Sequence, residues 1–469
     1  MFGINALRPL VLFAASALMV GACADSGSNS NSNGLLPVAP PAVGTYPASA
    51  GEAQSWVDNR DDFMIRAHAW DVWASITASV GESDTPVWET WYSGNEIFVS
   101  DPDKGRRLFP DFENPVQFFH SGKAQSLAAG SVTSVNRYSP ALGDAIWARG
   151  LNSSERLDAI NETFNELDTP VINRAISTSE GIVDAALIAL KPVFQIVDPN
   201  EPTAIPYWAG SAPSATTNTA NPTPDTWKQC VVIDPSESLL PGEFVEMPCN
   251  GVTDLLEVVS WESFYSFRLT KEQAKDFGEN AQNPGGDIGS DNQSSLDALE
   301  EMVKPGNMVL LVAMHVATKE IANWAWQTFW WGGPAALSVG SDLRPDAVKG
   351  VWRNYDMRAA YYMVESPDDL ESAPHIAFNP YLETGLSGTF TREDGIVVDW
   401  TGVTSNCMTC HSLAGWQKNE DPNQNCFSFD NDSCGPPYRN NGFIDPASDY
   451  IFGGYTKLDF LWSLQARPE

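Results

Sequence analysis

The stretch NMVLLVAMHVATKE, residues 307–320, is a long apolar run that ends in polar residues. Val309, Leu310, Leu311, Val312 and Val316 include β-branched residues, and the run shows no helical period, so it reads as a buried strand. ALIALKPVFQIV, residues 186–197, and GIVVDW, residues 395–400, read as further strands. Helices are expected among them. SSERLDAINETFNEL from Ser153 opens on serines, carries acidic residues in its first turn and sets Leu157, Ile160, Phe164 and Leu167 at helical spacing. LTKEQAKDFG, residues 269–278, has Thr270 three before Gln273 and a glycine stop at Gly278, which is a capping box followed by a terminator. The class is therefore α+β, mixed strands and helices.

The chain has seventeen tryptophans, and eight of them cluster: Trp70 with Trp73, Trp88 with Trp91, and four in NWAWQTFWW, from Trp324 to Trp331. Rings of this size belong mainly in the core. A cluster of them could also wall a flat cofactor, since indole offers a broad face and one N–H donor. Carbohydrate binding would need the rings exposed.

Near the C-terminus lies NCMTCHSLAGW, residues 406–416, containing Cys407, Cys410 and His411 in C-x-x-C-H spacing. Two thiols three positions apart can each add to a vinyl group of one haem while the adjoining histidine reaches its iron, which is the attachment of a c-type haem. This composition would produce the pattern by chance in roughly one such chain in a thousand. A thioredoxin-like dithiol wants a strand before and a helix after it, and a zinc site wants a second pair of ligands at similar spacing; neither context accompanies the motif. One haem c is expected, with His411 as its proximal iron ligand.

Haem attachment of this kind takes place outside the bacterial cytoplasm, and the N-terminus fits export. MFGINALRPLVLFAASALMVGAC has Arg8 ahead of an apolar run from Leu10 to Val20, then Gly21 and Ala22 before Cys23. Val20-Gly21-Ala22-Cys23 looks like a lipobox, so residues 1–22 are expected to be a lipoprotein signal and Cys23 the lipidated residue. An ordinary signal peptide with an incidental cysteine is the alternative. Ala24, not Asp, follows Cys23, which by resemblance to sorted lipoproteins favours the outer membrane, on its periplasmic side or at the cell surface. Residues 23–53 are Ser, Asn, Gly, Pro and Ala with little charge, a composition that reads as a flexible tether. The remainder divides into an α+β body, residues 54–395, and a haem-attachment segment, residues 396–469, packed on it. Residues 211–226 and 276–295 read as long surface loops.

Four cysteines remain as two local couples, Cys230 with Cys249 and Cys426 with Cys434. In an exported chain these are expected to form disulfides in that pairing, although three pairings exist and buried free thiols are an alternative. The balance of 60 acidic against 27 basic residues, net −33, opposes binding to nucleic acid and would steer a basic redox partner toward the surface. A solvated exterior explains the same charge.

Three segments together carry a resemblance: NMVLLVAMHVATKEIANWAWQTFWW, IAFNPYLETGL at residues 376–386, and SNCMTCHSLA, in that order, with PVWETW at 86–91 preceding them. The chain resembles the large single-haem c-type cytochrome family proteins of Gram-negative bacteria. Members show a strand ending in Leu-x-x-x-His, an N-W-x-W-x-T-F tract and a terminal C-x-x-C-H followed by a small residue. The resemblance implies a cofactor and a compartment more than a reaction. One departure is Trp330-Trp331, where relatives often carry Glu-His.

The 58 residues after His411 contain neither Met nor His, so a sixth iron ligand has to come from upstream. The candidates are His68, His120, His315 and His375, with Met64, Met247, Met302, Met308, Met314, Met357 and Met363; Met408 sits inside the attachment loop. His315 is favoured, because it lies late in the apolar strand beside the tryptophan tract and at the Leu-x-x-x-His position; a hydrogen-bonded core histidine is the alternative. Met314 would face the other side of the same strand. With the site closed, the expected function is electron transfer between periplasmic or outer-membrane partners. With it open, the large body could hold a substrate for peroxidase or oxygenase chemistry, His315 with Arg353 or Arg358 being a conceivable distal pair. A binding lipoprotein whose haem only stabilises the fold is the third reading.

Overall fold

A strand buried on both faces belongs inside a sheet, and Met308–Lys319 lies there. The computed structural model describes residues 36–98, 132–208, 229–271, 273–274, 304–333, 340–363, 379–383, 387–391, 397–401, 407–418 and 444–466. In chain order the strands of the principal sheet are β1 (Tyr92–Ser93), β2 (Val132–Ser134), β3 (Arg137–Tyr138) and β4 (Asp184–Val197). After a smaller sheet formed by β5 (Thr203–Pro206), β6 (Cys230–Ile233), β7 (Phe244–Cys249) and β8 (Val252–Val259), the principal sheet continues. Its remaining strands are β9 (Ser266–Arg268), β10 (Met308–Lys319), β11 (Ala325–Trp331) and β12 (Tyr355–Ala360). Two ladders follow, β13 (Ser387–Thr391) with β14 (Val397–Thr401), and β15 (Gly415–Trp416) with β16 (Thr456–Lys457).

The principal sheet is antiparallel and runs β1-β3-β4-β10-β11-β12, with β2 also on β4 and β9 on β10. The expected strand 186–197 is β4, and GIVVDW supplies β14. A proline is foreign to a central strand because it lacks a ladder donor. Pro192 is tolerated because its neighbour strand is interrupted there: β2 pairs through Ser134↔Val193 and β3 resumes at Arg137↔Leu190. Opposite this point β10 carries one extra residue, Val312, between Leu311↔Phe194 and Ala313↔Val193.

Helices α1 (Ala50–Asp58) and α2 (Asp62–Ile76) come first, followed by α3 (Gly94–Ile97), α4 (Pro140–Arg149) and α5 (Ser154–Glu166). Helix α2 brings Trp70 and Trp73, both fully buried, against Phe329 of β11. Trp73 stacks on that ring with centroids 4.1 Å apart. The row Pro192–Met314–Phe329–Met357 therefore faces α2. Most of the described tryptophans are core: Trp88, Trp91, Trp324, Trp330 and Trp331 are buried as well. Helix α5 starts on the Ser153 cap, but its last expected apolar position, Leu167, is 71% exposed. The Thr270–Gln273 capping box closes in both directions.

Residues 36–53 are not the loose tether that their composition suggests. Tyr46 and Ala48 are buried, Thr45 donates through both N–H and hydroxyl to Asp71, and Ala48 N–H donates to Glu320. Gly44 sits at φ 54, and a Cβ there would lie 2.2 Å from the Asp71 carboxylate. Composition misses this because the anchors are carboxylates supplied from elsewhere in the chain. Cys230 and Cys249 are disulfide-bonded, with Cα atoms 6.5 Å apart, and tie β6 to the end of β7. Cys23, Cys426, Cys434, and the two expected surface loops lie outside the described residues.

Short helices complete the chain: α6 (Pro380–Glu383), α7 (Cys407–His411), α8 (Asp449–Phe452) and α9 (Trp462–Ala466). The C-terminal segment is stitched to the body by side chains of α5 and the loop after it. Asn161 donates to Gly454 O at 2.8 Å and Thr456 Oγ1 at 3.1 Å, and Arg174 Nε donates to Tyr455 O at 2.8 Å. Trp416 Nε1 returns a bond to Asp158 at 3.0 Å.

Candidate functional site

The C-x-x-C-H motif is helix α7, one turn that puts positions 407 and 410 on the same side with His411 next to them. Met408 is fully buried and anchors the turn in the main core. The turn closes with Ser412 N–H donating to Met408 O and Ala414 N–H to His411 O.

His411 is held on two sides. Its ring packs on Trp326 of β11, centroids 4.2 Å apart. Its Nδ1 lies 2.8 Å from the Phe460 carbonyl oxygen. A carbonyl can only accept, so Nδ1 carries the proton and Nε2 keeps its lone pair. This is the tautomer in which a histidine ligates through Nε2 while its other nitrogen is oriented by a backbone acceptor. Burial pushes the His411 pKa down to about 3; the Phe460 carbonyl opposes the shift, and the ammonium of Lys191 adds to it. The ring is thus neutral across the physiological range, as a ligand must be.

Phe460 does not reach His411 by chance geometry. Asp459 and Phe460 are consecutive non-glycine residues in the left-handed region, at φ 51 and φ 66. Asp459 is fixed by Lys319 through one oxygen, at 2.5 Å, and by the backbone N–H and hydroxyl of Thr178 through the other, at 2.8 and 2.7 Å. Lys319 is itself buried, also donates to Ala322 O at 2.7 Å, and has its ammonium 5.3 Å from the Trp324 ring centre. Its pKa is lowered by burial, against which Asp459 acts.

The register fixes where His315 stands. His315 pairs with Lys191 on one side and Thr328 on the other, and Thr328 pairs with Arg358. This row shares a sheet face with Trp326 and Lys319, the face on which His411 and Asp459 pack, opposite to α2. Ala313 and Ala317, the neighbours of His315 on that face of β10, are small. Asn379, fully buried, donates to Thr328 Oγ1 at 2.8 Å and Phe329 O at 3.0 Å, so the IAFNPYLETGL segment is joined to the same row.

Other candidates are placed elsewhere. His68 is fully buried on the α2 side, its Nε2 2.9 Å from Glu320 Oε2 and its Nδ1 2.9 Å from Thr45 Oγ1, so both nitrogens are engaged. Met314 and Met357 face α2, and Met247 belongs to the small sheet. Met64 lies on α2. Met308 is core, and the Met363 sulfur accepts from Asn323 Nδ2 at 3.8 Å. Arg353 bonds the carbonyls of Pro345 and Val348. His120, His375 and Met302 lie outside the described residues. Sequence reasoning missed Phe460, Lys319 and Asp459; no local pattern marks them, since the contacts span 49 and 140 residues.

Among the described residues no three His, Cys, Asp or Glu side chains gather as a cage for a bare metal ion. No helix among them is long and apolar enough to cross a membrane. Comparison with protein-family models, with curated proteins and with solved structures found no match to this chain.

Proposed function

We propose that the chain is an exported monohaem c-type cytochrome that transfers electrons on the periplasmic side of the outer membrane or at the cell surface, anchored by a lipid on Cys23. The observation that carries the reading is the His411 tautomer: in a C-x-x-C-H turn, Nδ1 is committed to a backbone carbonyl and Nε2 is left to bind iron. Cys407 and Cys410 would hold one haem c covalently. Such a group supplies a one-electron ferric/ferrous couple.

His315 is the proposed sixth ligand. Its support is the register that puts it on the face where His411 packs. A six-coordinate iron gives a carrier. Trp326 packs against the proximal ring, and the Asp459–Phe460 turn keeps that ring in one orientation. The surplus of 33 negative charges favours a basic redox protein as partner and disfavours nucleic acid.

The test is the absorption spectrum of the purified protein, before and after denaturation and with carbon monoxide. One haem should stay with the denatured chain, and carbon monoxide should leave the native ferrous spectrum unchanged. Pigment extracted into acidified organic solvent would refute covalent haem. Fast carbon monoxide binding would replace the carrier by an oxidoreductase with an open distal site.

A further inference from the structure

We propose that Lys319 and Asp459 are positioning residues for His411: they hold the turn whose carbonyl takes the Nδ1 proton, and thereby set how strongly the ring donates to an iron bound at Nε2. This inference rests on the haem reading given above. A carbonyl acceptor on the far nitrogen orients a ligating imidazole and raises its basicity. The value of that bond depends on how firmly the acceptor is held.

Left alone, the acceptor would not be held. Two successive non-glycine residues at positive φ are disfavoured by the clash of each Cβ with the backbone, so the Asp459–Phe460 conformation persists only where its surroundings impose it. The surroundings are specific. Asp459 Oδ1 meets the Lys319 ammonium, and Asp459 Oδ2 takes both donors of Thr178. Lys319 comes from β10, four residues past His315 and on the same face of the sheet. Backbone bonds from Leu458 N–H to Ala414 O and from Leu461 N–H to Leu458 O lock the turn on either side. An unbroken series of contacts therefore runs from the strand bearing His315 through Lys319, Asp459 and the Phe460 carbonyl to His411. The two proposed ligands are set from one strand.

A mere tie between segments would predict no effect on the haem. The C-terminal segment has such a tie in the exposed Lys418–Glu162 pair, which serves as the control. In full-length exported holoprotein, Lys319→Met should loosen the turn and weaken the Nδ1 bond. The imidazole then donates less to ferric iron and the reduction potential rises. At a fixed ambient potential the ferrous-to-ferric ratio should increase about three- to tenfold, tenfold corresponding to about 59 mV for one electron. Lys319→Arg, which keeps the cation, should recover most of the shift, and Lys418→Ala should cause none.

If Lys319→Met does not accumulate, Asp459→Asn keeps the side-chain volume and an acceptor oxygen for Thr178 and carries the same expectation. The same variants should speed exchange of the His411 ring N–H, read by NMR on protein with 15N-labelled histidine. Folded, fully haem-loaded variants with the wild-type potential and wild-type ring exchange would overturn the positioning role. Wild-type protein without covalent haem would instead overturn the function proposed above. Ring exchange would then still report on the Lys319–Asp459 lock.

Discussion

Glu89, in the short turn Val87–Thr90 of PVWETW, is buried beside Arg137 and Tyr265, and burial raises its pKa from about 4.5 to about 7 despite both partners. The consequence is a pH-dependent loss of stability. Below about pH 4.5 the group is protonated in folded and unfolded chains alike and contributes no slope. Between about 4.5 and 7 the unfolded chain releases its proton while the folded one keeps it, so stability falls as pH rises and levels off above 7. The difference between about 4.5 and about 7, at about 1.36 kcal/mol for each tenfold change in proton affinity, gives roughly 3 kcal/mol. Glu89→Gln preserves length and an acceptor for Tyr265 and cannot titrate. Urea unfolding followed by tryptophan fluorescence from pH 4.5 to 8 should show the variant gaining about 3 kcal/mol on the wild type across that window. All other groups cancel in the difference. Parallel pH profiles for the two proteins would refute the buried, protonated carboxyl.

Two further outcomes follow from the geometry. His315→Ala should move the ferric spectrum from low toward high spin and let carbon monoxide bind the ferrous form, while an unchanged spectrum in folded protein would return His315 to the role of a core histidine. Replacing Cys230 and Cys249 by serine opens a loop with the ends 19 residues apart; it should lower stability by about 3 kcal/mol in urea titrations and leave the visible spectrum alone, because the bond lies within the small sheet.

The strands were legible where residues are buried on both faces. Continuous apolar character marks 307–320 and 186–197 regardless of register, and both proved to be central. The α5 cap and the Thr270–Gln273 box were legible because their partners are three residues away. The C-x-x-C-H motif is legible as a spacing, which the structure makes one helical turn. What supports it is not legible. Phe460, Asp459 and Lys319 meet only once β10 and the C-terminal segment are brought together, and nothing in their neighbourhoods distinguishes them from any Phe, Asp or Lys. The segment at 36–49 is illegible for the same reason: Asp71 and Glu320 anchor it, and composition does not record distant acceptors. The Trp324–Trp331 tract shows in sequence only as a cluster, and pairing with β10 and β12 makes most of it a strand.

The extra residue at Val312 bears on engineering. A bulge sets two residues of one strand against one of the next, so the surplus is taken up locally and the pairing beyond it is kept. Before Val312 the paired residue numbers on β10 and β4 sum to 505, as in Leu311 with Phe194; after it they sum to 506, as in His315 with Lys191. Deleting Val312 would therefore straighten the ladder and leave His315 opposite Lys191. One more residue at that point, taken up by no second bulge, would instead bring His315 opposite Leu190 and exchange the two faces of β10 from there on. The side of the sheet on which this imidazole stands is thus set by chain length as much as by the residue at position 315.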